Sequence, residues 1–252
     1  MQTSRPLTTP SRHGKRSVFL EEGQSLKPSS YQSSIPRTAK ERIIERYPDG
    51  GKRKAEYRLG RKLVGVRYFF ESGEPEMEYG LRDGTKHGTE YDWFDPGMLV
   101  SAEPFVRGLP HGTVRQWDDR GRLIGTYRMV HGTGLDLWRL PRERDGEPYL
   151  TEVLYWKGGH RHGFEWRLNE DQTTVYLERH WREGQFHGIE RQWNSAGGLR
   201  RGFPKYSVRG EPVPKRQYLK ACSSDPTLPP FRVEENHPAR TFPLEVARHL
   251  KP

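Results

Sequence analysis

The stretch GLPHGTVRQWDDRG, residues 108–121, sets a His-Gly pair, His111 and Gly112, five residues before Trp117 and nine before Gly121. The same arrangement returns in TKHGTEYDWFDPG, residues 85–97, where His87 and Gly88 precede Trp93 and Gly97. It returns again in QFHGIERQWNSAG, residues 185–197, where His187 and Gly188 precede Trp193 and Gly197. A histidine that recurs with its spacing belongs to a repeat, not to a single catalytic centre.

Aligned on the aromatic position, the chain gives Tyr47, Phe69, Trp93, Trp117, Trp138, Trp166 and Trp193, at intervals of 22, 24, 24, 21, 28 and 27 residues. A period in this range predicts a repeat array. Four residues after the aromatic comes Gly51, Gly73, Gly97, Gly121 or Gly197; the units at Trp138 and Trp166 break this rule. The spacing also stretches there, around LPRERDGEP (residues 140–148) and NEDQTTV (residues 169–175), which read as a loop insertion and an altered turn. These units, 138–172, are expected to protrude.

Within a unit, TVRQWDD has the length and the β-branched and aromatic content of a strand, and DDRG supplies turn residues at its end. In RLIGTYRMV and MLVSAEPFV the apolar residues alternate too closely for a helix, and each run ends at a Gly-containing turn such as RGLPHG. Each unit therefore reads as a β-hairpin. Isolated hairpins are marginal in water, so each pairs with its neighbours. The expected fold is all-β, an elongated antiparallel single-layer sheet of about 14 strands, roughly 60–70 Å long at ~4.8 Å per strand. Gly112 is expected to take positive φ where the chain reverses, and the His111 ring to bond a turn carbonyl.

Composition agrees with a thin core. The chain of 252 residues is 32% hydrophobic, holds 27 glycines and has a mean hydropathy of −0.99. No apolar run approaches a membrane span and no secretory leader is visible, so a soluble, cytoplasmic protein is expected. The single cysteine, Cys222, excludes an internal disulfide. The net charge of +10 sits at the ends: residues 1–40 carry seven basic and two acidic side chains, residues 200–252 eleven and five, and residues 41–199 are near neutral, with 25 and 26.

Residues 1–40, rich in Ser, Thr, Pro and Arg, are expected to form a disordered basic tail. Thr38–Glu41 matches a helix capping box, but a strand over RIIERY is preferred because it places Tyr47 in register with the repeat. The array is assigned to residues 41–202. Beyond it, residues 203–252 are read as one last hairpin at VRGEPV, a short helix from Pro214 to Cys222, extended DPTLPPF, and a second short helix from Pro243 to Leu250.

The pattern of aromatic, two residues, Gly, two residues, His-Gly, then a strand with Trp and a further Gly resembles the MORN repeat family, in its divergent second type. FVRGLPHGTVRQWDDRGRL, WREGQFHGIERQWNSAGGL and LRDGTKHGTEYDWFDPGML carry the likeness, which covers about residues 41–200. The units around Tyr47, Phe69, Trp138 and Trp166 match in part. The resemblance implies a hairpin-repeat sheet acting as an interaction surface. Proteins of this type are often labelled YwqK-type antitoxin components, which implies a toxin as partner.

Reaction chemistry finds no foothold. His160 and His162 share a strand face but lack a completing ligand set. Asp118 with Asp119, and Glu234 with Glu235, are adjacent on the chain and point apart if extended. No phosphate-cradling glycine motif and no signature around Cys222 are present. A non-enzymatic protein without cofactor or metal is expected, one that binds a partner protein. The other reading is a peripheral binder of anionic membrane or nucleic acid through Lys205, Arg209, Lys215, Arg216 and Lys220.

Overall fold

The computed structural model describes residues 31–142 and 146–250. The first thirty residues of the expected tail and the centre of the insertion at 143–145 lie outside the described residues.

The chain folds as consecutive antiparallel strands. The first sheet holds β1 (Lys40–Arg46), β2 (Lys52–Leu59), β3 (Lys62–Phe69), β4 (Pro75–Arg82), β5 (Thr85–Lys86), β6 (Gly88–Asp95), β7 (Met98–Val106), β8 (Leu109–Pro110), β9 (Gly112–Trp117) and β10 (Leu123–Met129). The second holds β11 (Gly134–Leu140), β12 (Tyr149–Lys157), β13 (His160–Leu168), β14 (Val175–Arg182), β15 (Gln185–Phe186), β16 (Gly188–Gln192), β17 (Lys205–Val208) and β18 (Glu211–Pro212). Strand order follows chain order throughout. Fourteen of these strands have four residues or more and four have two.

The expected single sheet is two. Between β10 and β11 the ladder shrinks to one bridge, Val130 to Thr133. Here His131 and Gly132 form a two-residue turn, and the next positive-φ glycine, Gly134 at +151°, follows after two residues where the hairpins at Gly84, Gly108 and Gly184 keep four. Packing restores continuity: Val114, Tyr127 and Met129 of the first sheet share one buried cluster with Leu137, Leu150, Val153 and Trp166 of the second.

The reversals also sit elsewhere than expected. The chain turns at two-residue pairs, Asp83–Gly84, Arg107–Gly108, Glu183–Gly184 and Arg209–Gly210, each with positive φ at both positions, as the twist of a tight hairpin requires. Gly112, four residues past its turn, marks a bend within a strand. Before the bend Leu81 pairs with Lys86; after it Glu78 pairs with Tyr91, a slip of two residues. The hairpins containing Gly112 and Gly188 slip identically, Phe105–Pro110 to Ala102–Arg115 and Trp181–Phe186 to Glu178–Arg191. The extra residues are the His-Gly pair.

Successive turns are tied together. The turn-glycine N–H of Gly108, Gly132, Gly159, Gly184 and Gly210 donates to the carbonyl of Lys86, Pro110, Gly132, Arg161 and Phe186 respectively, at 2.8–2.9 Å, always in the preceding unit. This ladder explains why the period is conserved along the chain.

Both ends fold back onto the array. Residues 31–39, assigned to the tail, pack on the first sheet: Ile35 is buried with Ala55, Tyr57 and Phe69, and Tyr31 meets Tyr91 and Trp93 edge-on at 4.9 and 5.3 Å. At the other end α1 (Lys215–Cys222) begins after Pro214, which serves as its N-cap. The second helix, α2 (Leu244–Ala247), is half the expected length, yet Phe242 and Val246 complete the large core of the second sheet. The Asn169–Thr174 loop does not protrude either: the Gln172 amide accepts the Leu150 N–H at 3.0 Å and donates to the Leu150 carbonyl at 2.9 Å.

Candidate protein-interaction surface

The repeat aromatics divide by environment. Phe69, Trp117, Trp166 and Trp193 are buried, while Tyr47, Trp93 and Trp138 are half-buried. Trp166 stacks on Phe164 at 4.0 Å and donates its indole N–H to Glu178; Trp193 donates to the Asn236 carbonyl at 2.7 Å. These rings are core and anchors for the C-terminal segment, not free platforms.

The histidines cap turns, through a different partner than expected. His111 Nδ1 accepts the backbone N–H of His131 at 3.2 Å, and His187 Nδ1 accepts that of Arg209 at 3.1 Å. In both, the ring of one unit holds the first turn residue of the next. An accepting Nδ1 requires a neutral ring with its proton on Nε2. Burial pushes the His187 pKa down, helped by Arg182 and Arg209 and opposed by Asp225; burial also lowers His249 and His162, beside Arg139 and Lys157 respectively. Folding thus favours the neutral rings. Their contribution is complete above the ordinary value of 6.5 and is lost as pH falls through the lowered values. The urea midpoint is therefore expected to fall between pH 7 and pH 5.5, with a shallower fall in His187→Gln; an unchanged slope in that variant would remove His187 from the explanation.

Two glutamates at equivalent positions, Glu78 on β4 and Glu178 on β14, are buried beneath the folded-back ends. Glu78 accepts bonds from Arg67, from the Tyr31 hydroxyl at 2.9 Å and from Ser33 at 2.5 Å. Burial and the Glu78 charge push the Tyr31 pKa up to about 12. Glu178 accepts from Arg191, from Arg240 at 2.7 Å and from the Trp166 indole. Burial works against the Glu178 carboxylate, but His180, Arg240 and Arg191 outweigh it and hold its pKa at about 2. In both sheets a carboxylate planted in the array anchors a segment from outside it.

Cations lie over rings on the strands that flank the turns. In the first sheet Lys54 covers Tyr68 at 4.9 Å, and Lys86 covers Tyr79 and Phe105 at 4.8 and 4.9 Å. In the second, Arg161 covers Trp181 at 4.9 Å and Arg179 covers Phe186 at 5.6 Å, with Trp181 stacked on Phe186 at 4.1 Å. Lys54, Tyr68, Tyr79, Lys86, Arg161, Arg179, Trp181 and Phe186 are all half-buried, each keeping part of its surface open. They combine the rings and arginines that concentrate binding energy at protein interfaces. The repeat alignment missed them because it followed one aromatic position. A signal was present: Tyr79 with Lys86 and Arg179 with Phe186 stand at the same two places, with ring and cation exchanged.

The basic C-terminal set is exposed throughout. Lys205 lies on β17, Arg209 at the next turn, and Lys215, Arg216 and Lys220 on α1. Lys205 covers Phe203 and Lys215 covers Phe231. His160 and His162 join no third ligand: among the described residues no three His, Cys, Asp or Glu side chains are grouped to hold a metal. Asp118 is buried and accepts the N–H groups of Arg120 and Arg122, so it fastens its turn while Asp119 is exposed. Cys222 is half-buried, its thiol 3.8 Å from the Pro229 carbonyl. No helix among the described residues is long and apolar enough to cross a membrane.

Compared with known proteins, the chain matches no family model and no curated protein.

Proposed function

We propose that this chain is a non-enzymatic protein-interaction module whose hairpin array receives irregular segments of a partner. One observation carries the reading: the array already docks two such segments of its own chain, residues 31–35 on Glu78 and residues 235–242 on Glu178. The half-buried ring and cation pairs supply a further surface of interface composition. The resemblance to second-type MORN repeat proteins adds a specific partner, a toxin that this chain neutralises. The exposed basic set on β17 and α1 supports the other reading, a binder of anionic membrane or nucleic acid.

Capture of partners from native lysate at low and high salt separates the two. A single protein recovered in stoichiometric amount under both conditions is the expected result, since an interface built on apolar and ring contacts resists salt. Recovery only of nucleic acid or lipid, lost at high salt, overturns the interaction-module reading.

A further inference from the structure

The turn of β4 and the turn of β14 are the same construction, one hundred residues apart. Arg82, Asp83, His87 and Gly88 stand where Arg182, Glu183, His187 and Gly188 stand, and the following turns bring Arg107 and Arg209 to equivalent places, with Gly108 and Gly210 bonded to the carbonyls of Lys86 and Phe186.

The second copy is filled. Residues 225–229 cross it, so that Arg182 donates to the Thr227 hydroxyl and lies 3.7 Å from the Asp225 carboxylate. His187 Nε2 is 3.0 Å from the same hydroxyl and 3.6 Å from Asp225. Asp225 Oδ1 accepts the Thr227 N–H at 3.0 Å, which holds carboxylate and hydroxyl side by side. The hydroxyl and the backbone N–H of Thr227, with His187 and Arg182 nearby, keep the Asp225 pKa low.

The first copy is open. A cleft there is lined by Arg82, Asp83, Thr85, His87 and Arg107. Both arginines are exposed, and neither forms an ion pair among the described residues. The buried His87 Nδ1 has no hydrogen-bond partner there, unlike its counterparts at His111 and His187. The third copy shows that this cleft is not a by-product of the repeat. There Val106 and His131 replace the two arginines, and the His131 ring lies against His111 at 4.2 Å.

We infer that the cleft at Arg82, His87 and Arg107 is a docking site for an acidic segment of a partner protein, one that presents a carboxylate two residues ahead of a hydroxyl. The inference deepens the interaction-module reading and rests on it. Ser34 already lies over Gly88, where Pro229 lies over Gly188, so the ligand needs only the acidic turn and not the proline that follows it in the filled copy.

The probe is a fluorescent peptide of residues 223–228, SSDPTL, which ends before the proline whose place Ser34 takes, titrated into the full chain. Saturable one-to-one binding is expected, weakened about tenfold or more by Asp225→Asn in the peptide and by Arg82→Ala with Arg107→Ala in the protein, as loss of charge-assisted bonds demands. The two arginines are exposed, so the double variant is expected to melt with the wild type. Absence of binding, equal binding of the Asn peptide, or binding lost in Arg182→Ala but kept in the double variant overturns the site. Capture of a native protein partner unchanged by the double variant overturns the site alone and leaves the interaction-module reading standing.

Discussion

Glu178→Gln is expected to destabilise the protein by about 3–5 kcal/mol, read as a lowered urea midpoint with an unchanged slope. Arg191 has a fully buried side chain, and its guanidinium is neutralised by Glu178 and by Glu235 at 3.1 Å. Arg240 bonds the second oxygen of Glu178. The amide leaves Arg240 without a carboxylate and Arg191 with Glu235 alone, and removing one partner of a buried ion pair is costly. Glu78→Gln is the internal comparison: its partner Arg67 is 22% exposed at the side chain and can turn towards water, so a smaller loss is expected. Acid tests the same network. The Glu178 pKa lies at about 2 against an ordinary 4.5, so its contribution is present above 4.5 and is lost as pH falls towards 2. A Glu178→Gln protein as stable as wild type would show that the C-terminal segment is not held by this carboxylate.

Gly132→Ala is expected to cost about 2–5 kcal/mol, the second large effect. Gly132 has φ of +71°, which for a residue with Cβ costs about 1–2 kcal/mol. The added Cβ would also overlap the backbone nitrogen of Gly159 and stand 2.9 Å from its Cα. Backbone in the turn ladder cannot step aside, because the Gly159 N–H is bonded to the Gly132 carbonyl; overpacking of this kind adds about 1–3 kcal/mol. Gly121→Ala isolates the conformational part: φ is +73°, and nothing lies within 4 Å of its Cβ. Equal losses in the two variants, measured by urea unfolding, would mean that contact between neighbouring turns contributes nothing.

The repeat was legible because its period is carried by residues with no substitute. A tight two-residue turn needs positive φ, a strand bend needs another glycine, and a recurring histidine between them needs only one local partner. The hairpins, the strand over Lys40–Arg46 and the last hairpin follow from that pattern. The location of the reversal did not. RGLPHG contains two positive-φ glycines, and only the register shows that Gly108 turns the chain while Gly112 bends it. The break into two sheets was hidden for the same reason, since a composition rich in glycine does not say which glycines interrupt pairing.

Residues 31–39 read as tail because Ser and Pro carry little apolar area. Their order comes from the array, where Glu78 accepts Ser33 and Tyr31 and where Ser34 lies over Gly80 and Gly88. Docking of this kind depends on residues dozens of positions away, which local composition does not register. The arginine-lined cleft was equally out of reach: Arg82 and Arg107 belong to different units, and the turn-to-turn bond from Gly108 to Lys86 brings them together.

The central claim, that the array itself is the binding surface, is tested most directly by lysine cross-linking of the captured complex followed by mass spectrometry. Cross-links from Lys54 and Lys86, which lie over Tyr68 and Tyr79 on the array, are the predicted result. Cross-links confined to Lys205, Lys215 and Lys220 on the C-terminal extension would contradict it and transfer the function to the basic end of the chain.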